Sequence, residues 1–479
     1  MYKYYPIYRL TIMLDYILKC SKCGSTFNFS IERKLCSKCE QGLWLEVKTL
    51  SLDKHEGEQG IWKYGGVLPN VKREFRISLG EGDSPLQNSL RIREEIGVRE
   101  LWIKDETIEP TGSYLDRCSA LFVSVVLSMG YEKILTYSTG NLGASIAAYS
   151  SRAGIKTHVQ VRPTIDLGKL YQMIIYGAEV KVVEAFREKK IKNTAVAVEY
   201  DPLINEAKKT IMLETFFQLN RRLPDYIILP MGEGGLVYAT YRMLKDISRS
   251  STSCKTRIIG VQSEDCKPIV NSFEKGLDFI EPESESRGRI FDVSVSNPKF
   301  GVAALRAIRE TKGTAVSVGE KEVFEALSLL AEKEGILAEP AGSLPIAGLI
   351  KLVKEGIIER DSTVICVVTG SGLKDPKVMK EIAHRKSSLG ALIEELSGGF
   401  RLSPTKTAIL RLLSEKNMYG YQIWKGLREK YGICVKIPTV YQHLNELIGK
   451  GYVKKGESKT VMGRRREYYS LTERGEALV

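Results

Sequence analysis

The sequence lacks any long uncharged apolar run. A membrane-spanning helix needs about 18 such residues in succession, and the most apolar stretch near the amino terminus is interrupted by Lys3, Arg9, Asp15 and Lys19. No small-residue cleavage site precedes the first cysteines, so this stretch does not resemble a signal peptide, and Met13 is a candidate alternative start. The sequence therefore predicts a cytoplasmic protein without membrane contact.

Low-complexity tracts are also absent. Hydrophobic residues make up 43% and charged residues 27% of the 479 positions, which is ordinary for a folded protein and argues against a disordered chain. At about 150 residues per domain, this length predicts about three units.

Positive charge is unevenly distributed along the chain. Residues 401–479 hold 16 lysines and arginines against seven acidic residues, which accounts for +9 of the total of +13. A basic surface confined to one terminal module indicates a polyanionic partner for that module, although a merely solvated basic tail would have the same composition.

The nine cysteines do not form a disulfide framework, because their number is odd and no secretion signal precedes them. Four of them follow the spacing C-x2-C-x12-C-x2-C of a zinc ribbon: Cys20, Cys23, Cys36 and Cys39. Four thiolates complete a tetrahedral coordination sphere and leave no open position, so the predicted zinc is structural. A ribbon without metal is the alternative.

From about residue 60 to 395, short β-branched runs alternate with longer helical stretches. The predicted strands are 133–137, 157–161, 226–230 and 364–369, and the predicted helices are 142–152, 169–176 and 236–247. This alternation indicates an α/β fold with a largely parallel sheet, in which ligands bind beyond the carboxyl ends of the strands. Glycine-containing loops follow three strands, at 138–141, 232–235 and 369–372. Such a loop at a helix start suits a phosphate, but tight turns have the same composition.

Several sequence blocks occur in the order that is typical of one enzyme family. They are Gly-Leu-Trp-Leu-Glu-Val at 42–47, Leu-Gly-Glu-Gly-Asp-Ser-Pro-Leu at 79–86, Lys-Asp-Glu at 104–106, Pro-Thr-Gly-Ser at 110–113, Ser-Thr-Gly-Asn-Leu-Gly at 138–143, Gly-Lys-Leu-Tyr-Gln at 168–172, Glu-Pro-Ala at 339–341 and Gly-Leu-Lys-Asp-Pro at 372–376. From about Cys20 to Pro376 the chain thereby resembles threonine synthase and its pyridoxal-phosphate relatives of the tryptophan-synthase β superfamily, which have fold type II.

The resemblance implies a pyridoxal phosphate site. Backbone amides of one loop would wrap the phosphate, and the loop consists of Gly232, Glu233, Gly234 and Gly235. Asn141 would bind the phenolic oxygen of the ring, and Thr369 would face the pyridine nitrogen. Small polar groups would hold the carboxylate of an amino-acid ligand, namely Ser138, Thr139 and Asn141.

One position departs decisively from the family. The family pattern Ser-Phe-Lys-Asp-Arg provides the lysine that forms the Schiff base with the cofactor and then moves protons at Cα, whereas this chain has Ser-Tyr-Leu-Asp-Arg at 113–117. An alkyl side chain at Leu115 neither forms an imine nor accepts a proton. We therefore assign no catalytic residue and expect any pyridoxal phosphate to be bound noncovalently. Lys104 and Lys374 match other family positions and are not substitutes.

Two smaller departures concern the ligand. Glu233 places a carboxylate inside the loop that would hold the phosphate; it either weakens the site or points to solvent while its amide still donates. Leu142 stands where the family commonly has a hydroxyl residue, which puts the usual substrate in doubt.

The terminal module has the pattern of three helices and a hairpin. Ile409, Leu412 and Leu413 give the first helix an apolar stripe, the run at 418–423 opens the second, and Thr439 starts a third that ends at Gly451. Predicted strands follow at 452–455 and 466–471. Residues 403–479 thereby resemble the winged helix-turn-helix of the PadR family of transcription regulators.

This resemblance implies that the module binds double-stranded DNA. The third helix would present hydrogen-bonding side chains to base edges in the major groove, from Thr439, Gln442, His443 and Asn445. A cationic hairpin tip would contact phosphates through Lys454, Lys455, Lys459, Arg464, Arg465 and Arg466. A winged helix used only for protein contacts is the alternative.

PadR-like proteins usually continue into a helical dimerisation segment, whereas this sequence ends soon after the hairpin. We therefore expect a homodimer formed through the core. The predicted domains are residues 1–50 with the zinc ribbon, 51–395 with two α/β subdomains, and 396–479 with the winged helix.

Together these features favour a ligand-responsive, DNA-binding transcription regulator. Its sensor would be a catalytically impaired core that binds an amino acid, pyridoxal phosphate or an adduct of the two. The alternatives are an active threonine synthase or dehydratase-type lyase with a fused regulatory domain, and a structural partner of a genuine threonine synthase.

Overall fold

The computed structural model describes residues 16–46, 51–138, 140–184, 186, 192–250, 254–283, 288, 290–385, 402–461, 464–476 and 478–479. The chain divides into two compact units, of which the first ends at Met379 and the second begins at Lys380. The domain boundary predicted at 395/396 falls within 386–401, outside the described residues. Among the helices described, none combines the length and the apolar character that a bilayer crossing requires.

A six-stranded sheet forms the larger part of the first unit. In spatial order its strands are Thr314–Val318, Arg257–Ser263, Tyr226–Pro230, Thr363–Val368, Glu100–Asp105 and Leu86–Asn88. The first five are parallel, and only Leu86–Asn88 pairs antiparallel with its neighbour. Every residue of the inner strand Tyr226–Pro230 is buried, as expected where both faces of a parallel sheet are covered.

A second sheet has four parallel strands, in the order Glu179–Val182, Lys156–Val161, Lys133–Tyr137 and Thr194–Ala197. The α-helices of the first unit are Arg91–Ile96, Leu115–Ser128, Asn141–Ala153, Leu167–Ile175, Pro202–Ala207, Lys209–Gln218, Gly235–Ser250, Pro268–Glu274, Gly301–Glu310, Glu320–Leu329 and Pro340–Lys354. A further helix, Pro376–Arg385, includes the division between the units after Met379. Segments of 3-10 helix span Gly60–Val67, Arg73–Phe75, Phe291–Val293 and Gly372–Lys374, and a π-helical segment spans Leu330–Glu334. The α/β class and the parallel sheet predicted from the sequence are confirmed.

The amino-terminal ribbon is a three-stranded antiparallel sheet that belongs to the first unit. Its strands are Thr26–Asn28, Ile17–Cys20 and Leu43–Glu46. The Gly42 N–H donates to the Lys299 carbonyl at 2.8 Å, and Trp44 meets the Phe300 ring edge-on at 6.3 Å between centroids. A methyl group on Gly42 would lie 2.6 Å from Phe300 Cδ2, so this close approach requires glycine.

The second unit has the winged-helix arrangement. Its helices are Pro404–Glu415, Gly420–Tyr431, Ile437–Gly449 and Glu473–Glu476, and its antiparallel sheet has the order Met418–Tyr419, Arg464–Leu471 and Val453–Val461. Ile409, Leu412, Leu413, Val440 and Leu444 are buried as predicted.

Several boundaries in this unit differ from the prediction. The hairpin strands predicted at 452–455 and 466–471 extend over Val453–Val461 and Arg464–Leu471. Met418 and Tyr419 do not open the second helix; they form a short strand that pairs with Tyr469 and Tyr468. The sequence did not distinguish the two structures, because Tyr419 also suits a cross-strand contact, which it makes with Tyr468. The third helix begins at Ile437 rather than Thr439, because a proline in the first helical turn needs no amide partner.

Candidate functional site

A cleft in the first unit lies at the carboxyl ends of strands from both sheets. The strands Lys133–Tyr137, Tyr226–Pro230 and Thr363–Val368 end directly before the loops that the sequence marked. Predicted site residues that line this cleft are Leu115, Asn141, Gly232, Glu233, Gly234, Gly235 and Thr369. Residues from distant parts of the chain therefore meet at one place.

Leu115 occupies the first position of the long buried helix Leu115–Ser128 and is 4% exposed. The Tyr114 N–H donates to the Thr369 carbonyl at 3.0 Å, which holds the helix start against the Thr369 loop. Asp116 accepts from the Thr111 amide at 2.6 Å and from the Ser145 hydroxyl at 2.5 Å. The backbone around Leu115 is thus tightly fixed, with an alkyl group where the sequence comparison expects an amine.

The other lysines named from the sequence are placed differently. Lys104 is buried in an ion pair with Glu214 at 2.5 Å. The Lys374 amine is buried without a hydrogen-bond partner among the described residues, and burial lowers its pKa to about 8 although Glu339 and Asp116 oppose the shift. Neither lysine is among the residues that line the cleft.

The loop Gly232 to Gly235 leads directly into the helix Gly235–Ser250. Gly234 has φ +86°, a left-handed conformation that favours glycine. A methyl group on Gly232 would lie 3.0 Å from Val293 Cα, and one on Gly235 would collide with Asn205 Oδ1. Among the described residues no acceptor takes the loop's backbone N–H groups, which is the arrangement of an anion site.

Glu233 follows neither sequence interpretation completely. Its carboxylate turns to the neighbouring segment and accepts from the Lys299 N–H, so it does not simply point to solvent. Burial raises its pKa to about 8, although the bond from the Lys299 amide lowers it. Below that pH the loop therefore carries a neutral carboxyl.

Asn141 is held by a second carboxyl group. Its Nδ2 donates to both oxygens of Glu339 at 3.0 Å, and Lys169 lies 3.6 Å from Glu339 Oε2. Burial raises the pKa of Glu339 to about 7. Because Glu339 takes the nitrogen, Asn141 Oδ1 remains a buried acceptor without a partner among the described residues.

The proposed carboxylate-binding residues are less available than the sequence suggests. Ser138 is 2% exposed, and its hydroxyl accepts from the Gly140 and Gly143 amides at 3.0 and 2.8 Å. It therefore caps the helix Asn141–Ala153 instead of leaving those amides free. Thr139 lies outside the described residues.

The sequence did not indicate four charged residues that line the cleft, namely Glu199, Lys208, Asp292 and Glu339. Glu339 was part of a family block, but no role at the site was assigned to it. Lys208 donates to Asn205 Oδ1 at 3.0 Å and lies 5.8 Å from the centre of the Tyr114 ring. Burial raises the pKa of Glu199, and Lys208 opposes that shift. The only sequence signal for Lys208 was its position beside Lys209 in the chain, which does not distinguish a cleft residue.

The four cysteines of the ribbon come together as predicted. The ligand atoms of Cys20, Cys23, Cys36 and Cys39 lie within 4.8 Å of one another. The Lys22 amide donates to Cys20 Sγ at 3.4 Å, a bond that stabilises a thiolate. This donor set suits a tetrahedral zinc ion.

The third helix of the second unit exposes only part of the predicted DNA-reading set. Gln442 and Asn445 are exposed, whereas Thr439 and His443 are partly covered. His443 Nδ1 lies 3.8 Å from Glu446 on the same helix. Tyr441 is 37% exposed on the same helix and was not predicted to contact DNA.

The predicted cationic tip is spread along the whole hairpin. Lys454 and Lys455 pair with Ser470 and Tyr469 near its base, whereas Arg465 pairs with Thr460 near its outer end. Lys455 lies 3.2 Å from Glu467, and Arg466 lies over the Tyr419 ring at 5.6 Å. The side chains of Lys459 and Arg464 lie outside the part of the chain that the structure describes.

Comparisons with known proteins follow the same division. Residues 77–370 match the family described as pyridoxal-phosphate dependent enzyme, and residues 409–479 match the transcriptional regulator PadR-like family. Threonine synthase of Methanosarcina acetivorans is 34% identical over 398 residues, which covers 80% of this chain and 98% of that protein. Threonine synthase of Methanocaldococcus jannaschii is 36% identical over 379 residues, with 75% and 93% covered.

Solved structures show a related fold. Maize serine racemase has a TM-score of 0.55 at 18% identity and covers 64% of this chain and 92% of its own. The processed form of threonine deaminase isoform 2 from Solanum lycopersicum has a TM-score of 0.55 at 18% identity, with 71% and 98% covered.

Proposed function

Because the chain belongs to the pyridoxal-phosphate dependent enzyme family, as a threonine-synthase-like member with a PadR-like domain at its C-terminus, we propose that it is a ligand-responsive transcription regulator. The fusion and the fold type II core predicted from the sequence are confirmed. The observation that carries the proposal is Leu115 at the start of the buried helix Leu115–Ser128, where the family pattern has lysine.

The cleft suits pyridoxal phosphate held without a covalent bond. The unpaired amides of the Gly232 to Gly235 loop suit its phosphate, and the unsatisfied Asn141 Oδ1 needs a partner from outside the described residues. Thr369 lines the same cleft and would face the ring nitrogen. When bound to an enzyme amine, the cofactor supplies an electron sink for carbanions. Leu115 provides no such amine, so the core would recognise a ligand and not turn it over.

An amino acid, alone or as an adduct with pyridoxal phosphate, completes the proposed ligand. Ser138 and Asn141 would contact its carboxylate, which requires their present hydrogen bonds to Gly140, Gly143 and Glu339 to rearrange. Such a rearrangement at the start of the helix Asn141–Ala153 would give the bound and free states different structures.

The winged helix would provide the output. Gln442 and Asn445 are exposed on the helix Ile437–Gly449 and would read base edges, and Arg465 would contact phosphate. A homodimer formed through the core would match a two-fold operator. A ligand changes DNA affinity only if it binds two arrangements of this dimer unequally.

DNA binding with and without ligand tests this proposal. A fluorescent duplex from the promoter of the chain's own operon is titrated with the full chain, in the absence of ligand, with pyridoxal phosphate, and with pyridoxal phosphate plus amino acids. We expect salt-sensitive binding whose affinity changes about fivefold or more between ligand states, the usual scale of allosteric coupling.

The outcome separates the proposal from its rival. No salt-sensitive shift under any ligand condition would defeat the regulator model. An active lyase with a fused regulatory domain would instead release product from an amino-acid substrate, which requires a base other than residue 115.

A further inference from the structure

Lys208 is a buried lysine that makes no ion pair within 4.0 Å among the described residues. Its side chain is 2% exposed and lines the cleft. Within the described residues, no carboxylate lies within 4.0 Å of its amine, and its hydrogen-bond partner is the neutral Asn205 Oδ1 at 3.0 Å. Buried charges are normally paired, so an anion bound directly beside this amine would compensate its charge.

Three other buried lysines of the first unit have a carboxylate partner within the chain. Lys104 pairs with Glu214 at 2.5 Å, and Lys169 pairs with Asp292 at 2.5 Å. Lys209, next to Lys208 in sequence, pairs with Glu206. Lys374 also lacks a partner, but it is not among the residues that line the cleft. Lys208 is therefore distinguished by combining an unpaired amine with a place at the cleft.

The amine stands beside the glycine loop. A methyl group built on Gly235 would lie 3.1 Å from Lys208 Nζ. Gly235 begins a helix of 16 residues, whose amino end attracts anions, and the loop's amides have no described acceptor. Asn205 fixes the amine, because its own Nδ2 donates to the Glu199 and Asp201 carbonyls at 3.0 Å.

We propose that Lys208 adds a cation to the phosphate site at the Gly232 to Gly235 loop and thereby selects a phosphate monoester over a ligand without phosphate. This inference rests on the proposed function, because it concerns the same phosphate site. The dianion would receive N–H groups from the loop and a charge-assisted hydrogen bond from the amine.

Two acidic residues of the cleft would weaken phosphate binding when they are ionised. Removing such a carboxylate should therefore raise phosphate affinity, whereas removing Lys208 should lower it. Glu233 belongs to the loop, and Glu199 lies near both Glu233 and Lys208. Ionised Glu233 would repel a phosphate, whereas its protonated form would not. Because its pKa is raised to about 8, phosphate affinity should fall as the pH rises through that value.

The experiment measures binding of inorganic phosphate, pyridoxal phosphate and pyridoxal to the full chain by calorimetry at pH 7. Lys208→Gln keeps a hydrogen-bonding group near Asn205 and removes the charge. We expect this variant to lower the affinity for inorganic phosphate and for pyridoxal phosphate at least about tenfold, since a hydrogen bond to a charged group is lost. Glu233→Gln should bind them about as the natural chain does at pH 7, where Glu233 is protonated. Above pH 8 it should bind them more tightly than the natural chain, because it lacks the decline in affinity.

Lys354→Gln is the matched control, because Lys354 is exposed at the end of the helix Pro340–Lys354. It should bind like the natural chain, and pyridoxal should bind weakly to every variant. The proposal is overturned if the natural chain binds neither phosphate ligand, if Lys208→Gln binds as the natural chain does, or if Glu233→Gln loses as much affinity as Lys208→Gln. Tight phosphate binding without any effect on DNA affinity would defeat the proposed function and leave this site intact.

Discussion

At the scale of single residues, the proposed function depends on Leu115, an alkyl side chain where the family pattern has lysine. Its neighbours Asp116 and Arg117 remain in a buried network, with Arg117 2.8 Å from Glu106 and 2.9 Å from Glu214. Buried ion pairs therefore hold the helix start in place, and the Leu115 side chain itself offers no nucleophile or base.

Leu115→Lys should restore covalent capture of pyridoxal phosphate. The new amine would begin the same helix beside Thr369, and an imine formed there becomes permanent on borohydride reduction. Peptide mass mapping after reduction should find the pyridoxyl group at position 115. Leu115→Met is the control and should capture nothing. Labelling of the natural chain at any lysine of the cleft would contradict the account.

Glu233 should make the stability of the core depend on pH. Its pKa is raised from 4.5 to about 8 by burial, so the folded state holds this proton more tightly than the unfolded state. The associated stability is present below about pH 4.5 and is lost as the pH rises through 8.

The measurement for Glu233 is thermal unfolding of the natural chain and of Glu233→Gln between about pH 5 and 9. The natural chain should lose stability relative to the variant as the pH rises, because the variant lacks the Glu233 carboxyl, whose ionisation the folded state disfavours. A difference that stays constant over this range would show that Glu233 does not titrate as its surroundings imply.

Residue-level prediction from the sequence succeeded where a local pattern was sufficient. Leu115 and the glycine loop were found because their neighbours in the chain identify them. Lys208 was missed because its proximity to Gly235 depends on tertiary packing across 27 positions of the chain. The carboxyl contacts of Asn141 and Glu233 were missed for the same reason.

At the scale of elements, the ribbon and the glycine loop share one segment. The Gly42 N–H donates to the Lys299 carbonyl at 2.8 Å, and the Phe300 N–H donates to the Glu233 carbonyl at 3.2 Å. A metal that orders the ribbon would therefore also support the loop.

Cys36→Ser should lower the zinc content and the stability of the protein. The natural chain should hold about one zinc ion, since four thiolates form one closed site. Loss of that ion should lower the melting temperature and weaken binding of pyridoxal phosphate through the shared segment. Metal analysis, thermal unfolding and calorimetry measure these effects. Cys434→Ser changes an exposed cysteine outside the cluster and should leave all three unchanged.

The winged helix should recognise bases and contact phosphates through different residues. Arg465→Ala removes an exposed cation and should weaken binding to all sequences alike, lowering the slope of affinity against salt by about 1. Asn445→Ala should instead reduce discrimination against substituted operators by about 1–3 kcal/mol. Anisotropy titrations at several salt concentrations distinguish the two. If Asn445→Ala lost the same affinity for operator DNA and for random DNA, Asn445 would not contribute to sequence recognition.

Element-level prediction was strongest for the buried strands and weakest at turns. The strands at 133–137 and 226–230 match the structure because continuous burial gives an unambiguous apolar run. Met418 and Tyr419 were assigned to a helix because their strand partner lies about 50 positions later, beyond any local signal.

At the scale of the whole molecule, two compact units are joined within one chain. Regulation then requires that the first unit has two states and that the second responds to them, because a ligand with equal affinity for both states changes nothing. In such a regulator, catalytic conversion of the ligand would remove the molecule that the core binds.

Steady-state conversion of an amino-acid substrate by the pure, natural chain tests this account most directly. The assay supplies pyridoxal phosphate and compares the protein with a protein-free blank, because the free cofactor reacts slowly by itself. The account predicts no product above the blank. Sustained formation of many product molecules per chain would contradict it and identify an enzyme that works without a lysine at position 115.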